Sequence, residues 1–310
     1  MSLLKFSNGN SKLAQNIFTF SLPAGYACPG AHNCKSQCVK TSKGYRLKDG
    51  PQCQFRCFAA IDEVLKPNVR ALRWHNFNLL KGKTKAELVK LIQTSLPHPR
   101  WKFMVRLHVS GDFFSQAYFD AWREIARRNP KIVFYCYTKS LPFWIARLGS
   151  IPKNLRLSAS LGGIHDRLVF VHGLKRAVVV YSEAEAEDLD LEIDHDDSHV
   201  YEGTKNFALL LHGTQPKGSE AGQAWQRLKE IGKGGYHNQK RGRGWGGKDY
   251  MGKPLPKNYG GGTPPPSGML TVAHGWKGKR GTTPSPVGMT VIEKEQIGAI
   301  LNEDWENVSA

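Results

Sequence analysis

The 310-residue sequence has no apolar run near the eighteen or so residues that a membrane-spanning helix requires. Its opening, MSLLKFSNGNSKLAQNIFTFSLPAG, also lacks the continuous apolar centre of a secretion leader. These two absences predict a soluble protein of the cytoplasm with no membrane contact. Acidic residues are scarce in the first half, where residues 1–150 hold 7 Asp and Glu against 24 Lys and Arg. With a formal charge of +18 over the whole chain, the balance points toward a phosphate-rich partner such as nucleic acid. Residues 183–197, EAEAEDLDLEIDHDD, run the other way, with nine acidic side chains in fifteen positions.

Tight C-x2-C pairs are missing too, although cysteine itself is concentrated. ACPGAHNCKSQC (27–38) and CQFRC (53–57) give the spacing C-x5-C-x3-C-x14-C-x3-C. In a reducing compartment such a group reads as metal ligands before disulfides. A redox pair and plain burial compete, but burial explains one cysteine more readily than five. Zinc ribbons and knuckles use the tight pairs that are absent here. Wider spacing in a loop bent by Pro29 and Gly30 leaves room for a larger inorganic core. It therefore favours an iron–sulfur cluster of the four-iron, four-sulfur type, with zinc as the alternative. Cys28, Cys34 and Cys57 are the first choice of ligands, because they combine a tight loop with a helix start whose dipole favours thiolate. Cys38 and Cys53 compete for a fourth place. Three thiolates would leave one iron open to a substrate or cofactor, and four would close the site.

Two regions are expected along the chain. Residues 1–231 form a cysteine-rich α/β domain, and residues 232–310 form a flexible tail rich in Gly, Pro and Lys with a short terminal element. The tail's basic and aromatic residues suit single-stranded bases and phosphates, or serve as a linker. Residues 1–53 read as loop. Helices follow at FRCFAAIDEVL, at NVRALRWHNFNLL with Val69, Leu72, Phe77 and Leu80 on one face, and at TKAELVKLIQTSL, where Thr84 and Glu87 have capping-box spacing. Strand and helix then alternate. KFMVRLHVS, KIVFYCYT, NLRLSAS, RLVFVH, AVVVYS and NFALLLHG are the strand candidates, with helices over residues 116–128 and 219–231. This order predicts a mostly parallel sheet, either open or as a partial (β/α) barrel.

In parallel α/β folds ligands bind beyond the carboxyl ends of the strands. Period-two alternation puts Arg106, His108 and Ser110 on one face, with Gly111 and Asp112 in the following turn. Cys136, Ser158 and Ser160 reach the same edge from the next two strands. Arg106 would meet an anionic group, and Asp112 would accept a hydroxyl or ammonium hydrogen bond. His195 and His199, set among Asp194, Asp196 and Asp197, could take a divalent ion or form a solvated acidic loop.

FSLPAGYACPGAHNC, VRLHVSGDFFSQAYFDAWREIA and FYCYTKSLPFW resemble the gene product 88 proteins of phages and bacteria, over roughly residues 15–230. The resemblance implies a phage-type protein of the host-cell cytoplasm. Its layout, cysteines ahead of a βα array, is distantly similar to radical S-adenosylmethionine enzymes, whose three cysteines hold a cluster with one open iron. That implies S-adenosylmethionine as a further cofactor, although this chain does not have the usual C-x3-C-x2-C loop. The alternative expectation is a zinc-stabilised nucleic-acid-binding protein without catalysis.

Overall fold

Apolar β-branched runs separated by helix-length segments bury their strands from both sides, and the chain follows that logic. The computed structural model describes residues 2–233 apart from 9–12, 14–16 and 99–102. The tail expected from 232 onward therefore lies outside the described residues beyond Lys233.

In chain order the elements are β1 (Ser7–Asn8), β2 (Ile17–Thr19), β3 (Ser36–Thr41), β4 (Gly44–Asp49), α1 (Phe58–Leu65), α2 (Pro67–Leu80) and α3 (Lys85–Ser95). Then come β5 (Met104–Arg106), α4 (Gln116–Arg128), β6 (Val133–Thr138), α5 (Leu141–Ile145), β7 (Leu155–Ser160), α6 (Arg167–Val171) and β8 (Arg176–Val180). The last are α7 (Glu183–Asp188), β9 (Glu192–Ile193), α8 (Ser198–Tyr201), β10 (Phe207–Leu210) and α9 (Glu220–Glu230). Eight strands form one sheet in the order β1-β2-β5-β6-β7-β8-β10-β9. Every pair in it is parallel except β1 with β2. The sheet is open at β1 and β9, so the open form of the predicted α/β fold is realised and no barrel closes.

One face carries Val105, Phe134, Leu155, Leu157 and Ala159 against Leu88, Ile92, Phe119, Trp122 and Ile125 of α3 and α4. The other buries Ile17, Tyr135, Ala177 and Phe207 under Val200 and Tyr201. Farther along, Ala221, Ala224 and Leu228 of α9 pack with Val179, Tyr181 and Phe55. Thr84 and Glu87 close the expected capping box on α3.

Four local expectations need correcting. Residues 1–53 are not all loop, since β2 is a buried strand beside β5 and β3 pairs with β4 in a separate hairpin. Three residues carry too short a pattern for β2 to show, and the hairpin, buried only at Ser36 and Cys38, has little apolar content. KFMVRLHVS yields only three residues of strand, because the chain turns at His108, whose φ is 57°. RLVFVH is helix α6 and not a strand, an ambiguity that short apolar runs leave open. Finally, of the expected α2 face Leu80 is buried and Phe77 packs against the core, but Arg73 and Asn76 take the other buried places while Val69 and Leu72 stay half-buried. Arg73 reaches Glu63 at 2.9 Å, and Asn76 accepts from Lys5 N at 2.8 Å while donating to Lys5 O at 2.9 Å.

Gly111 has a φ of 81°, and a Cβ there would lie 2.5 Å from the Cβ of Leu22. Gly111→Ala adds a left-handed backbone penalty to an overpacked contact, together about 2–4 kcal/mol. A urea titration should show an earlier midpoint with an unchanged slope; an unshifted midpoint would show that the turn relaxes freely.

Candidate functional site

The parallel strands β5, β6 and β7 end side by side, and the segments beyond them are laced together by one carboxylate. Asp112 is buried and accepts from Thr138 Oγ1 at 2.7 Å, Lys139 N at 2.8 Å, Ser140 N at 3.2 Å and Phe113 N at 2.7 Å. Burial pushes its carboxyl above the ordinary value, while these donors pull it back. Its own N–H donates to Ala27 O at 2.8 Å, which ties in the cysteine loop. Lys139 is buried as well, and its ammonium donates to the carbonyl and hydroxyl of Ser160, both at 2.9 Å, and to Leu161 O.

The cysteine loop lies across these ends. Asn33 N donates to Gly162 O at 2.9 Å, and Ile164 N donates to Gly30 O at 3.0 Å. Gly30 is obligatory, because a Cβ there would sit 2.1 Å from Lys139 O. The close approach places Cys28 within electrostatic reach of Asp112, Cys57 and Cys34, and burial with these neighbours raises its thiol well above the usual range. Cys57 stands at the N-cap of α1. Burial and then Cys34 push its thiol up to about 11, against the amides of Ala59 and Ala60 and the guanidinium of Arg73. Cys28, Cys34 and Cys57 thus lie within electrostatic reach of one another at the carboxyl edge of the sheet.

The remaining cysteines lie differently. Cys53 approaches the group through Cys34 alone, and its thiol donates to Phe55 O at 3.2 Å. Cys38 is buried near Glu63 and Arg70, with no other cysteine acting on it. Cys136 is buried in the core shared with α3 and α4, its thiol raised by burial and by Asp112. All six are free thiols. Among the described residues, no three His, Cys, Asp or Glu side chains converge closely enough to hold a single metal ion.

Arg106 and His108 do not share a face. Arg106 pairs with Asp197 at 2.8 Å and lies over the ring of Tyr137. The left-handed turn sends His108 to the opposite face, where Nε2 meets Tyr118 Oη at 3.1 Å and the ring stands edge-on to Phe113. Burial alone lowers its pKa to about 3, so it is neutral. Ser110 is buried beside Glu63, Ser160 binds Lys139, and Ser158 is buried opposite Tyr137 with no hydrogen-bond partner for its hydroxyl.

The acidic loop is anchored to the sheet. Tyr137 donates to Asp194 at 3.0 Å and Asp197 at 3.1 Å, and Tyr135 donates to Asp197 at 3.3 Å. His199 sits between Asp194 at 3.0 Å and Glu192 at 3.1 Å, whereas His195 is exposed. Next to the cysteine loop opens a cleft of roughly 620 Å³, lined in part by Asn33, Gln54, Phe55, Tyr181, Glu185 and Glu220. Lys139, Arg73 and Glu63 escaped the sequence reading. TKS at a strand end was a usable signal for the first, but nothing local marked the other two.

The profile of a family described as Gene product 88 matches residues 2–229. The Gene 88 protein of Mycobacterium phage L5 is 27% identical over 145 residues, covering 44% of this chain and 59% of the phage L5 protein. That of Mycobacterium phage D29 is 25% identical over 109 residues, covering 33% of this chain and 45% of the D29 protein. The matched stretches therefore span about half the length of these relatives. No solved structure matches. Among the described residues no helix is long and apolar enough to cross a membrane.

His108 predicts an acid sensitivity. The unfolded chain takes up its proton below about 6.5 and the folded chain only below about 3, so stability falls as pH drops through that window. The slope contributed approaches about 1.4 kcal/mol per pH unit. His108→Asn, which tolerates the left-handed backbone and cannot charge, should flatten stability against pH in denaturant titrations. An unaltered slope would show that His108 is not responsible.

Proposed function

Since the chain belongs to the gene product 88 family, whose name specifies no chemistry, we propose from the site itself that Cys28, Cys34 and Cys57 hold an iron–sulfur cluster. The observation carrying this reading is that three partly buried thiols, drawn from two separated segments, lie within electrostatic reach of one another at the carboxyl edge of a parallel sheet. Desolvation and the neighbouring Cys34 raise the pKa of the Cys28 and Cys57 thiols, which gains nothing by itself. A cationic centre removes that penalty by taking the protons' place.

A single zinc ion needs its sulfurs about 3.8 Å apart, given bonds of about 2.3 Å in a tetrahedron. A cuboidal cluster places each thiolate on a separate iron and accepts a wider triangle. The cluster's spacing suits thiols that interact electrostatically and come from two separate segments. Three protein ligands leave one iron free for an exogenous molecule. A cleft lined by Asn33, the chain neighbour of Cys34, lies beside the cysteine loop and could admit such a molecule. Bound there, the cluster would supply electrons to a small molecule, and S-adenosylmethionine is the first candidate to test. Asp112 and Lys139 act as positioning residues that hold the strand ends and the cysteine loop in register. A second reading, contact with nucleic acid, is favoured by the 24 cations against 7 acids in residues 1–150.

Anaerobically purified protein should carry iron and acid-labile sulfide in stoichiometric amounts. Cys28→Ala with Cys34→Ala should reduce both to background, while Cys38→Ala should retain them. Full iron in the double variant would refute the ligand set. Zinc without sulfide in the unaltered protein would replace the cluster by a structural ion.

A further inference from the structure

Helices α3 and α4 pack on the same face of the sheet, and a groove of roughly 540 Å³ runs between them. Lys85, Val89, Lys90 and Gln93 line it from α3, and Glu124 and Arg128 from α4. Positions 85, 89 and 93, like 124 and 128, recur at four-residue spacing, so each helix presents one continuous stripe. Lys85, Lys90, Arg127 and Arg128 are exposed.

The acids nearby are already engaged. Glu124 accepts from Arg127 at 2.7 Å and Arg128 at 2.8 Å, which hold its carboxyl below the usual value. Glu87 closes the capping box with Thr84, so the attraction for an anion comes from side chains and not from open amides of the first turn. Neither helix exposes a large apolar side chain. The face therefore has nothing to insert into lipid and nothing on which unpaired bases could stack.

Building on the nucleic-acid reading, we infer that the α3–α4 groove seats the phosphate backbone of a nucleic-acid duplex, bound by charge and shape without reading base sequence. A concave stripe carrying Lys85, Lys90 and Arg128 on rigid helices, with Arg127 beside it, matches a ridge of phosphates better than it matches a flat surface.

The test uses the full chain and a fluorescein-labelled DNA duplex of about 20 base pairs, followed by anisotropy from about 50 to 200 mM salt. Lys85→Glu, Lys90→Glu and Arg128→Glu together should weaken binding about tenfold or more at the lower salt and reduce the slope of log K against log salt by about 2–3. A control carrying Lys153→Glu, Lys205→Glu and Lys217→Glu makes the same change in net charge on exposed residues elsewhere and should bind nearly as the unaltered protein. Equal losses in the two triple variants, or no loss in the first, would overturn the groove as the site. Absence of duplex binding by the unaltered chain would instead overturn the nucleic-acid reading on which the inference rests. Vesicles containing phosphatidylserine form the last arm. Lost vesicle binding with duplex binding intact would reassign the groove to a membrane surface.

Discussion

One buried carboxylate organises the carboxyl edge of this sheet. Asp112 receives hydrogen bonds from the segment after β5 and from three successive residues at the end of β6, while its amide holds the cysteine loop at Ala27. A carboxylate removed from water is tolerable only when donors replace its hydration, and bonds to a charged acceptor contribute about 1.5–3 kcal/mol each. Backbone amides supply most of those donors here, so the loops cannot move independently. Gly30 and Gly111 follow from the same crowding, since neither position leaves space for a side chain.

Charge is managed differently on either side of that knot. The cysteine group gathers potential anions next to Asp112, where burial disfavours ionisation, and Arg73 near Cys57 offsets it in part. Arg73 is itself shared with Glu63, whose second role is to accept from Ala24 N at 2.8 Å just ahead of the cysteine loop. On the other face, the carboxylates of the acidic loop are taken up by Arg106 and two tyrosines. Asp194 and Asp197, at the end of the acidic run, therefore clamp it to the sheet. The excess of positive charge is left for the outer surface, where water and salt screen it.

Much of the architecture was legible because it rests on local pattern. α4 spans the residues expected from its apolar periodicity, with Ser115 as its cap, and β6 and β7 were visible as apolar runs between turn signals. The preference for Cys28, Cys34 and Cys57 came from a loop and a helix start, both of which are short-range features. β2 was not legible, since three residues carry no periodicity, and its burial depends on β5 from far along the chain. The shared face of Arg106 and His108 failed for a related reason. Alternation assumes extended backbone, and a left-handed residue breaks it.

The sequence by itself determined the class of fold, the placement of helices on a parallel sheet, and the concentration of thiols near one end of the chain. Those properties follow from periodicity, composition and spacing within a few residues. Only the tertiary structure decided which cysteines come within electrostatic reach of one another, that Asp112 serves the loops and leaves no oxygen idle, and that Asp197 faces Arg106. These outcomes depend on contacts between residues tens of positions apart, where burial and the need to satisfy every buried polar group act on the assembled chain.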